Sequence, residues 1–214
     1  MEEQNVQAPE KSGGIKGFLC DLMDILEAAV LTVFIFLLLF AYVVRPVTVD
    51  GPSMNPTLLN EDKIVIVTAL HQPKNGQIVV IDDQKAGLFA DVEQKNVYES
   101  DGAGIVIIKR LIAHGGQEID IDFEAKTVSV DGVVLDEPYI AEPTSKDEGA
   151  FLYPFTVPEG YLFVMGDNRQ RSMDSRSPSV ALIPEDQVLG TALVRYGRNS
   201  ENCSKFTDRF DYLF

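Results

Sequence analysis

The dominant pattern in the sequence is a long apolar stretch near the N-terminus. From Ala28 to Val44 no residue is charged, and Thr32 is the one polar break. As a helix this stretch is about 25 Å long, and its apolar flank extends it towards the ~30 Å of a hydrocarbon core. A buried core helix does not need apolar side chains on every face. A cleaved secretory signal ends in a small-residue site, whereas Arg45-Pro46 follows here. The pattern therefore favours a retained membrane anchor over residues 25–44.

After residue 45 the chain changes to short β-branched and aromatic runs, separated by glycine and proline. Asp131-Gly132 lies between two such runs and predicts a two-residue hairpin, because that turn needs positive φ. Two segments, 82–104 and 136–160, are rich in loop-forming residues and indicate insertions or a small lobe. The sequence thus predicts a mainly β fold behind one N-terminal helix. The predicted strands are Lys63–Thr68, Gln77–Ile81, Ile105–Lys109, Val128–Val130, Val133–Leu135, Tyr161–Met165 and Thr191–Tyr196.

Composition narrows the function classes. The chain has 18 basic and 33 acidic residues, a formal charge of −15, which argues against nucleic acid as a partner because phosphate binding needs a basic surface. Two Cys and two His exclude a disulfide scaffold and argue against a metal site built from those residues. The sequence therefore predicts no metal and no cofactor. The mean hydropathy of +0.02 is the average of an apolar helix and an acidic, water-facing remainder.

A serine turn follows the apolar stretch closely. Ser53 lies in Gly51-Pro52-Ser53-Met54-Asn55-Pro56, where glycine and proline keep the backbone out of a regular ladder. Such a turn exposes a hydroxyl and also leaves an amide free to stabilise an oxyanion. An ordinary exposed loop serine has the same local signature, so this motif alone does not establish a nucleophile.

A serine nucleophile needs a base, and the chain offers three candidates. His71 lies in a polar turn, and His114 follows a strand but has no orienting carboxylate nearby. Lys109 ends the run from Ile105 and shares a strand face with Ile107 and other apolar residues. Burial on that face would lower its pKa, whereas a strand-end lysine that reaches water would keep its charge. Lys109 is the better candidate.

A dense polar turn, Gly166–Arg176, directly follows the predicted strand YLFVM. It contains Asp167, Asn168, Ser172 and Asp174 among charged neighbours. A solvated loop with exposed ion pairs would look similar, and such pairs contribute little. The clustering nevertheless supplies the neutral and charged hydrogen-bonding groups that a buried lysine would need.

Together and in this order, the motifs resemble the type I signal peptidases, serine–lysine enzymes of family S26 that remove secretory signal peptides. The motifs are PxxxxGxSMxPTL at 46–58, GxIVV at 76–80, Lys-Arg at 109–110, and GDNxxxSxDSR at 166–176, with a hairpin and an EPY segment at 137–139. The resemblance implies an antiparallel β catalytic domain with a small β cap. Gly51 stands where many Gram-negative members have a serine, so the chain is similar to the Gram-positive pattern.

The resemblance assigns a role to each motif residue. It implies Ser53 as the nucleophile and Lys109 as the general base. Ser172 would orient the lysine by a hydrogen bond, and the oxyanion would be bound by the Ser53 amide together with the Gly51 amide or water. The remaining turn residues would support the site, namely Asp167 and Asn168 by shaping the turn and Asp174 and Arg176 as an ion pair.

The resemblance also implies substrate, place and domain division. Secretory preproteins and the lipid bilayer would be the partners, and cleavage would follow small residues in an A-x-A pattern. Val47–Val49 would pair with an extended substrate, and apolar pockets would be lined by Val47, Val49, Met54, Ile107 and Ile108. The N-terminus would be cytoplasmic, in line with the weak lysine bias before the helix. The expected units are a cytoplasmic arm (1–24), an anchor (25–44), a catalytic core (45–117 and 161–198), a cap lobe (118–160) and a tail (199–214).

Two other functions fit parts of the pattern. A Ser/Lys protease of another purpose, such as a self-cleaving repressor or a pilin maturase, shares the dyad, but repressors carry a DNA-binding helical domain that this acidic chain lacks. A membrane-tethered, non-catalytic binding module could use the same β fold. Its mark would be the loss of Ser53 or Lys109, and both residues are present.

Overall fold

A computed structural model describes residues 14–68, 72–197 and 211–213 of the protein. The chain divides into two compact units, Met1–Tyr42 and Val43–Phe214. In the described part of the first unit, residues 14–42, one α-helix, α1, runs over Ile15–Tyr42. Its segment Gly17–Phe40 has a mean hydropathy of 2.4 and is long and apolar enough to cross a membrane. The helix begins well before the anchor boundary predicted at residue 25, because Phe18, Leu19 and Leu22 continue its apolar pattern.

The second unit is built on two antiparallel sheets. The larger sheet has eight strands in the order β1-β2-β11-β3-β4-β9-β10, with β12 paired to β11. The prediction of a mainly β fold behind one apolar N-terminal helix is confirmed. The strands of this sheet are β1 (Val44–Thr48), β2 (Lys63–Val67), β3 (Ile78–Phe89), β4 (Val97–His114), β9 (Tyr161–Met165), β10 (Ile183–Pro184), β11 (Val188–Gly197) and β12 (Asp211–Tyr212).

The smaller sheet takes its four strands from the chain between β4 and β9. Its order is β7-β6-β5-β8, and Asp131 and Gly132 form the β6–β7 turn with φ of 52° and 74°. These positive values are the ones that the Asp-Gly pair predicted. The strands are β5 (Glu118–Asp122), β6 (Thr127–Val130), β7 (Val133–Val134) and β8 (Phe155–Thr156).

The predicted loop region at 82–104 is instead an extended hairpin arm. β3 and β4 stay paired from Asp82–Val106 out to Phe89–Val97, with one irregularity after Asp83. The sequence hides this because the arm is rich in polar residues, and backbone pairing rather than alternating apolar side chains holds it. Ala86 is nevertheless fully buried, so one face of the arm contributes to the core.

The central strands carry buried apolar side chains on both faces. On β3, Ile78 and Val80 belong to one buried cluster, and Val79 and Ile81 belong to another. This division follows from the alternation of side chains along a strand. The first cluster also contains Met54, so the serine turn lies over apolar packing.

Candidate active site

The serine turn connects β1 to β2 and is held at both ends. At its base, the Val49 amide donates to the Asp62 carbonyl, and the Glu61 amide donates to the Val49 carbonyl, both at 2.8 Å. Inside the turn, the Leu58 amide donates to the Met54 carbonyl at 2.9 Å. Met54 and Leu58 are buried, while Ser53, which precedes them in sequence, is half-buried. The apolar side chains thus anchor a turn that leaves the serine hydroxyl accessible.

Lys109, on strand β4, contacts this serine. Its Nζ donates a hydrogen bond to Ser53 Oγ at 3.1 Å, although the two residues are far apart in sequence. Lys109 is 4% exposed. Burial lowers the pKa of Lys109 from its ordinary value, and the carboxylates of Asp174 and Asp83 oppose that shift. A lysine in these surroundings is able to take a proton from a serine, which an exposed ammonium cannot do.

His114 does not take this place. The side chain of His114 lines a separate surface pocket together with Lys74, Glu159 and Glu185, and Ser53 does not border that pocket. His71 lies outside the described residues.

The turn after β9 is tied directly to the serine. The Asn168 amide donates to the Ser53 carbonyl at 2.9 Å, and Asn168 Nδ2 donates to the Pro52 carbonyl at 3.2 Å. Gly166 makes the approach possible, because a Cβ there would lie 2.5 Å from the Ser53 carbonyl oxygen and 2.2 Å from Ser172 Oγ. The two turns therefore meet backbone to backbone.

Asp174 and Arg176 form a buried ion pair behind that turn. Arg176 Nε donates to Asp174 Oδ1 at 2.8 Å, and Nη2 donates to Oδ2 at 2.9 Å. Both side chains are completely buried. Burial alone would raise the pKa of the Asp174 carboxyl, but the hydrogen bonds and charge of Arg176 outweigh burial and lower it. Asp174 also accepts the Gly166 amide at 2.9 Å, so the pair fixes the glycine that touches Ser53.

A second buried ion pair was not predicted from the sequence. Arg110, the residue after the lysine, donates from Nε and Nη2 to the two carboxylate oxygens of Asp167 at 2.8 and 2.5 Å. Thr57 of the serine turn donates to the same carboxylate at 2.5 Å. The Arg110 guanidinium also lies 3.9 Å over the ring of Tyr139. Asp167 thereby joins β4, the serine turn and the turn after β9.

A third pair ties the EPY segment to the same turn. Arg169 binds the Glu137 carboxylate through both terminal nitrogens, and it donates to Thr144 Oγ1 at 2.5 Å. The sequence motifs already contain Arg110, Thr57, Glu137 and Tyr139 without roles. Arg110 directly follows Lys109, and Thr57 lies in the same turn as Ser53, so proximity in sequence was the available signal for these two residues.

Two predicted contacts are not formed. Ser172 is buried, and its hydroxyl helps to lower the pKa of the Asp174 carboxyl. No hydrogen bond joins Ser172 Oγ to Lys109 among the described residues, and Lys109 Nζ donates instead to Ser53 Oγ. The Gly51 amide, with φ of +88°, donates to Asn60 Oδ1 at 2.8 Å and is therefore occupied rather than free for an oxyanion. In the described part of the chain the Ser53 amide has no acceptor.

Of the five residues predicted to line the substrate pockets, four lie in or against one apolar cluster and the fifth lies in another. Val49 and Met54 are buried in one cluster, with Val47 and Ile108 packed against it, whereas Ile107 belongs to the cluster on the other face. The physical reason is the strand alternation, which sends Ile107 and Ile108 to opposite faces of β4. For metals, no group of three or more His, Cys, Asp or Glu side chains that could hold an ion occurs within residues 14–68, 72–197 and 211–213.

The chain is similar in sequence to a known family of peptidases. A sequence model described as "Signal peptidase, peptidase S26" matches residues 22–197. The chain belongs to this family. Signal peptidase I of Bacillus licheniformis is 33% identical over 180 residues, covering 80% of this chain and 86% of the relative. Probable signal peptidase I-1 of Synechocystis sp. is 35% identical over 163 residues, covering 75% of this chain and 74% of the relative.

Among solved structures, the crystal structure of a signal peptidase I from Enterococcus faecalis V583 is similar, with 26% sequence identity and a TM-score of 0.39. It covers 57% of this chain and 98% of its own. The predicted membership in the S26 signal peptidase family is confirmed by the sequence matches. The protein is accordingly a serine peptidase, a hydrolase of peptide bonds.

Proposed function

We propose that this S26 peptidase is a membrane-anchored signal peptidase I that removes N-terminal signal peptides from secreted preproteins. The observation that carries the proposal is the 3.1 Å hydrogen bond from Lys109 Nζ to Ser53 Oγ, formed where the lysine is buried. It joins the two groups that an acyl-transfer mechanism needs, a hydroxyl nucleophile and a base whose pKa is shifted towards neutrality.

In the proposed mechanism, neutral Lys109 accepts the proton of Ser53 as Oγ attacks the carbonyl carbon of the scissile bond. The Ser53 amide, which has no acceptor among the described residues, binds the developing oxyanion. Lys109 then returns the proton to the leaving amine, and the acyl-enzyme forms. In the second half, Lys109 takes a proton from water as the oxygen of that water attacks the ester carbonyl. The bond between the acyl carbon and Ser53 Oγ then breaks, Lys109 returns the proton to Oγ, and the carboxylic acid product leaves.

The supporting residues would act through position. Asn168 holds the Ser53 carbonyl, which fixes the backbone on which the oxyanion donor lies. Asp174 and Arg176 hold Gly166 at the distance that this contact needs. Asp167 and Arg110 connect the serine turn to β4, the strand that carries Lys109. Ser172 lies against Gly166 and in the proposal fills the space behind the lysine.

Substrate binding is proposed along β1. This strand is the first in the order of the larger sheet and pairs with β2 alone among the described strands. An extended peptide could therefore add to its free edge next to Val47, with its scissile carbonyl at Ser53. Small residues before the cleavage site, as in A-x-A, would suit the packed surroundings of Val47, Met54 and Ile108.

For location, α1 would be the single membrane span, with the N-terminus in the cytoplasm and the β unit outside. We propose the same division as the sequence indicates, with 45–117 and 161–198 as the catalytic core and 118–160 as the cap. The partners would be preproteins and the lipid bilayer, and nucleic acid would not bind.

The test uses the detergent-solubilised full chain and a preprotein with an A-x-A site. We expect Ser53→Ala and Lys109→Met to lower the cleavage rate by about 10⁴-fold, because each removes half of the dyad. The matched controls are Ser100→Ala, which like Ser53 changes a half-buried serine, and Lys95→Met, which changes an exposed lysine. Both lie outside the proposed site and should cleave at the wild-type rate. Cleavage by either dyad variant at that rate would refute the assignment. A preprotein with a bulky residue before the cleavage site separates signal peptidase activity from other serine proteolysis.

A further inference from the structure

A second buried charge lies on the same sheet face as Lys109. Asp83 on β3 is fully buried and pairs with Ile105, while Lys109 pairs with Val79. Counting by twos along both strands places Asp83 and Lys109 on one face, about 13 Å apart along the strand. Ile81 and Ile107 lie between them and are buried.

The hydrogen bonds of Asp83 are incomplete. Its Oδ2 accepts the Ala103 amide at 3.2 Å, but Oδ1 is buried without a partner among the described residues. Gly102 makes room for this arrangement, because a Cβ there would lie 2.6 Å from Oδ1. A buried carboxylate with one bond is costly, and an asparagine would make the same contact to Ala103 at lower cost. An ionisable carboxyl group at this position therefore points to a role beyond packing.

The other charges near Lys109 are already balanced against each other. Asp174 and Arg176 both act on the lysine, with opposite signs, and they form a closed pair. Asp83 has no such counter-charge: burial raises its pKa, while the Ala103 bond and the positive charge of Lys109 oppose that shift, and the neighbouring carboxylate of Asp82 adds to it. Lys109 is thus the cation whose charge acts on the Asp83 carboxyl.

We propose that Asp83 is a positioning residue that stabilises the ammonium form of Lys109 through the apolar face between β3 and β4. Because little water intervenes, the field of the carboxylate is weakly screened along this face. Asp83 would then hold the dyad in its protonated, resting form until the pH rises far enough. The proposal rests on the function proposed above for Lys109, and it assigns a role to the base of the hairpin arm.

The test is the pH profile of kcat/KM for Asp83→Asn. Removing the negative charge favours neutral Lys109, so the acid limb should move to lower pH by about 0.5–1 unit. Asp82→Asn is the matched control, since it removes the same charge one residue away on the opposite face, where Asp82 is half-exposed and bonded to Gln84. Its profile should coincide with wild type. If the Asp83→Asn and Asp82→Asn profiles coincide, the proposal is wrong.

A second measurement needs no activity and uses the native aspartate. Coupling between two titrating groups is reciprocal, so Lys109→Met should raise the midpoint of the Asp83 carboxyl titration, followed by ¹³C NMR, by about 0.5–1 unit. Lys95→Met should leave that midpoint unchanged. An unchanged midpoint in Lys109→Met overturns the proposal even if Asp83→Asn fails to fold. If the wild-type protein cleaves no preprotein, the proposed function fails while this titration still decides the coupling.

Discussion

The Asp174–Arg176 pair in the turn after β9 and the lysine Lys109 on β4 handle buried charge in opposite ways. In the turn, Asp174 and Arg176 meet through two hydrogen bonds with no exposed surface. On β4, the buried ammonium group of Lys109 is bonded to a neutral hydroxyl. A buried charge with a counter-charge keeps its ionisation state, whereas one without it is driven towards neutrality. One small region thus holds fixed, paired charges beside a buried lysine without a bonded counter-charge, which is the arrangement that the proposed proton transfer needs.

Breaking the fixed pair should have the largest effect on stability. Asp174→Asn leaves Arg176 as an uncompensated buried cation, and we expect a loss of about 3–5 kcal/mol in the free energy of unfolding. Urea unfolding in detergent measures this. Glu99→Gln is the matched control, because Glu99 pairs with Lys85 at the exposed surface and should cost less than about 1 kcal/mol. Equal losses in the two variants would contradict the distinction between buried and surface pairs.

Removing one hydrogen bond from the Arg110–Asp167 pair should have an intermediate effect on the free energy of unfolding. Thr57→Val keeps the shape of the side chain but removes the hydroxyl that donates to Asp167, while Arg110 remains bound. We expect a loss of about 1.5–3 kcal/mol, the range for hydrogen bonds to charged groups. Thr156→Val at an exposed strand position serves as control. A Thr57→Val protein as stable as this control would show that the carboxylate does not need the hydroxyl.

The unpaired lysine should be visible in the pH dependence of stability. The folded-state pKa of Lys109 lies below the ordinary value of 10.5, so between these two values the unfolded chain binds more protons. The free energy of unfolding should therefore rise with pH in that window, by at most about 1.4 kcal/mol per unit. Lys109→Met removes this contribution, and Lys95→Met retains it. Parallel curves for wild type and Lys109→Met would mean that the lysine stays charged.

The smallest effect is expected at the start of the serine turn. Asn60→Ala removes the acceptor of the Gly51 amide, an exposed contact that water can replace. We expect a loss of about 0.5–1 kcal/mol with cleavage activity retained. A larger fall in kcat than in stability would instead indicate that Asn60 aligns Ser53. Asn75→Ala, which removes another exposed side-chain hydrogen bond, is the reference for the expected loss in the free energy of unfolding.

Features set by neighbouring residues in the sequence were predictable, whereas features set by contacts between distant residues were not. The apolar helix, the Asp131-Gly132 hairpin and the strand YLFVM followed from local pattern. The hairpin arm did not, because pairing between β3 and β4 rather than an apolar repeat defines it.

The site shows the same limit. A base for Ser53 could be sought among a few residue types, and burial of the run around Lys109 was readable from its neighbours. The bond from Arg110 to Asp167 joins residues 57 positions apart in sequence. The bond from Thr57 to Asp167 joins residues 110 positions apart, and no local rule specifies such partners. The occupied Gly51 amide depends on one rotamer of Asn60. The opposite faces of Ile107 and Ile108, in contrast, follow from strand alternation and were predictable.

The close contact at Gly166 means that empty space, as well as charge, determines the alignment of the site. A single added carbon at this position would overlap the Ser53 carbonyl oxygen and the Ser172 hydroxyl. It would act as a wedge between the turn that carries the serine and the turn that steadies it. The most direct way to displace the proposed nucleophile therefore alters neither Ser53 nor Lys109 and changes no charge.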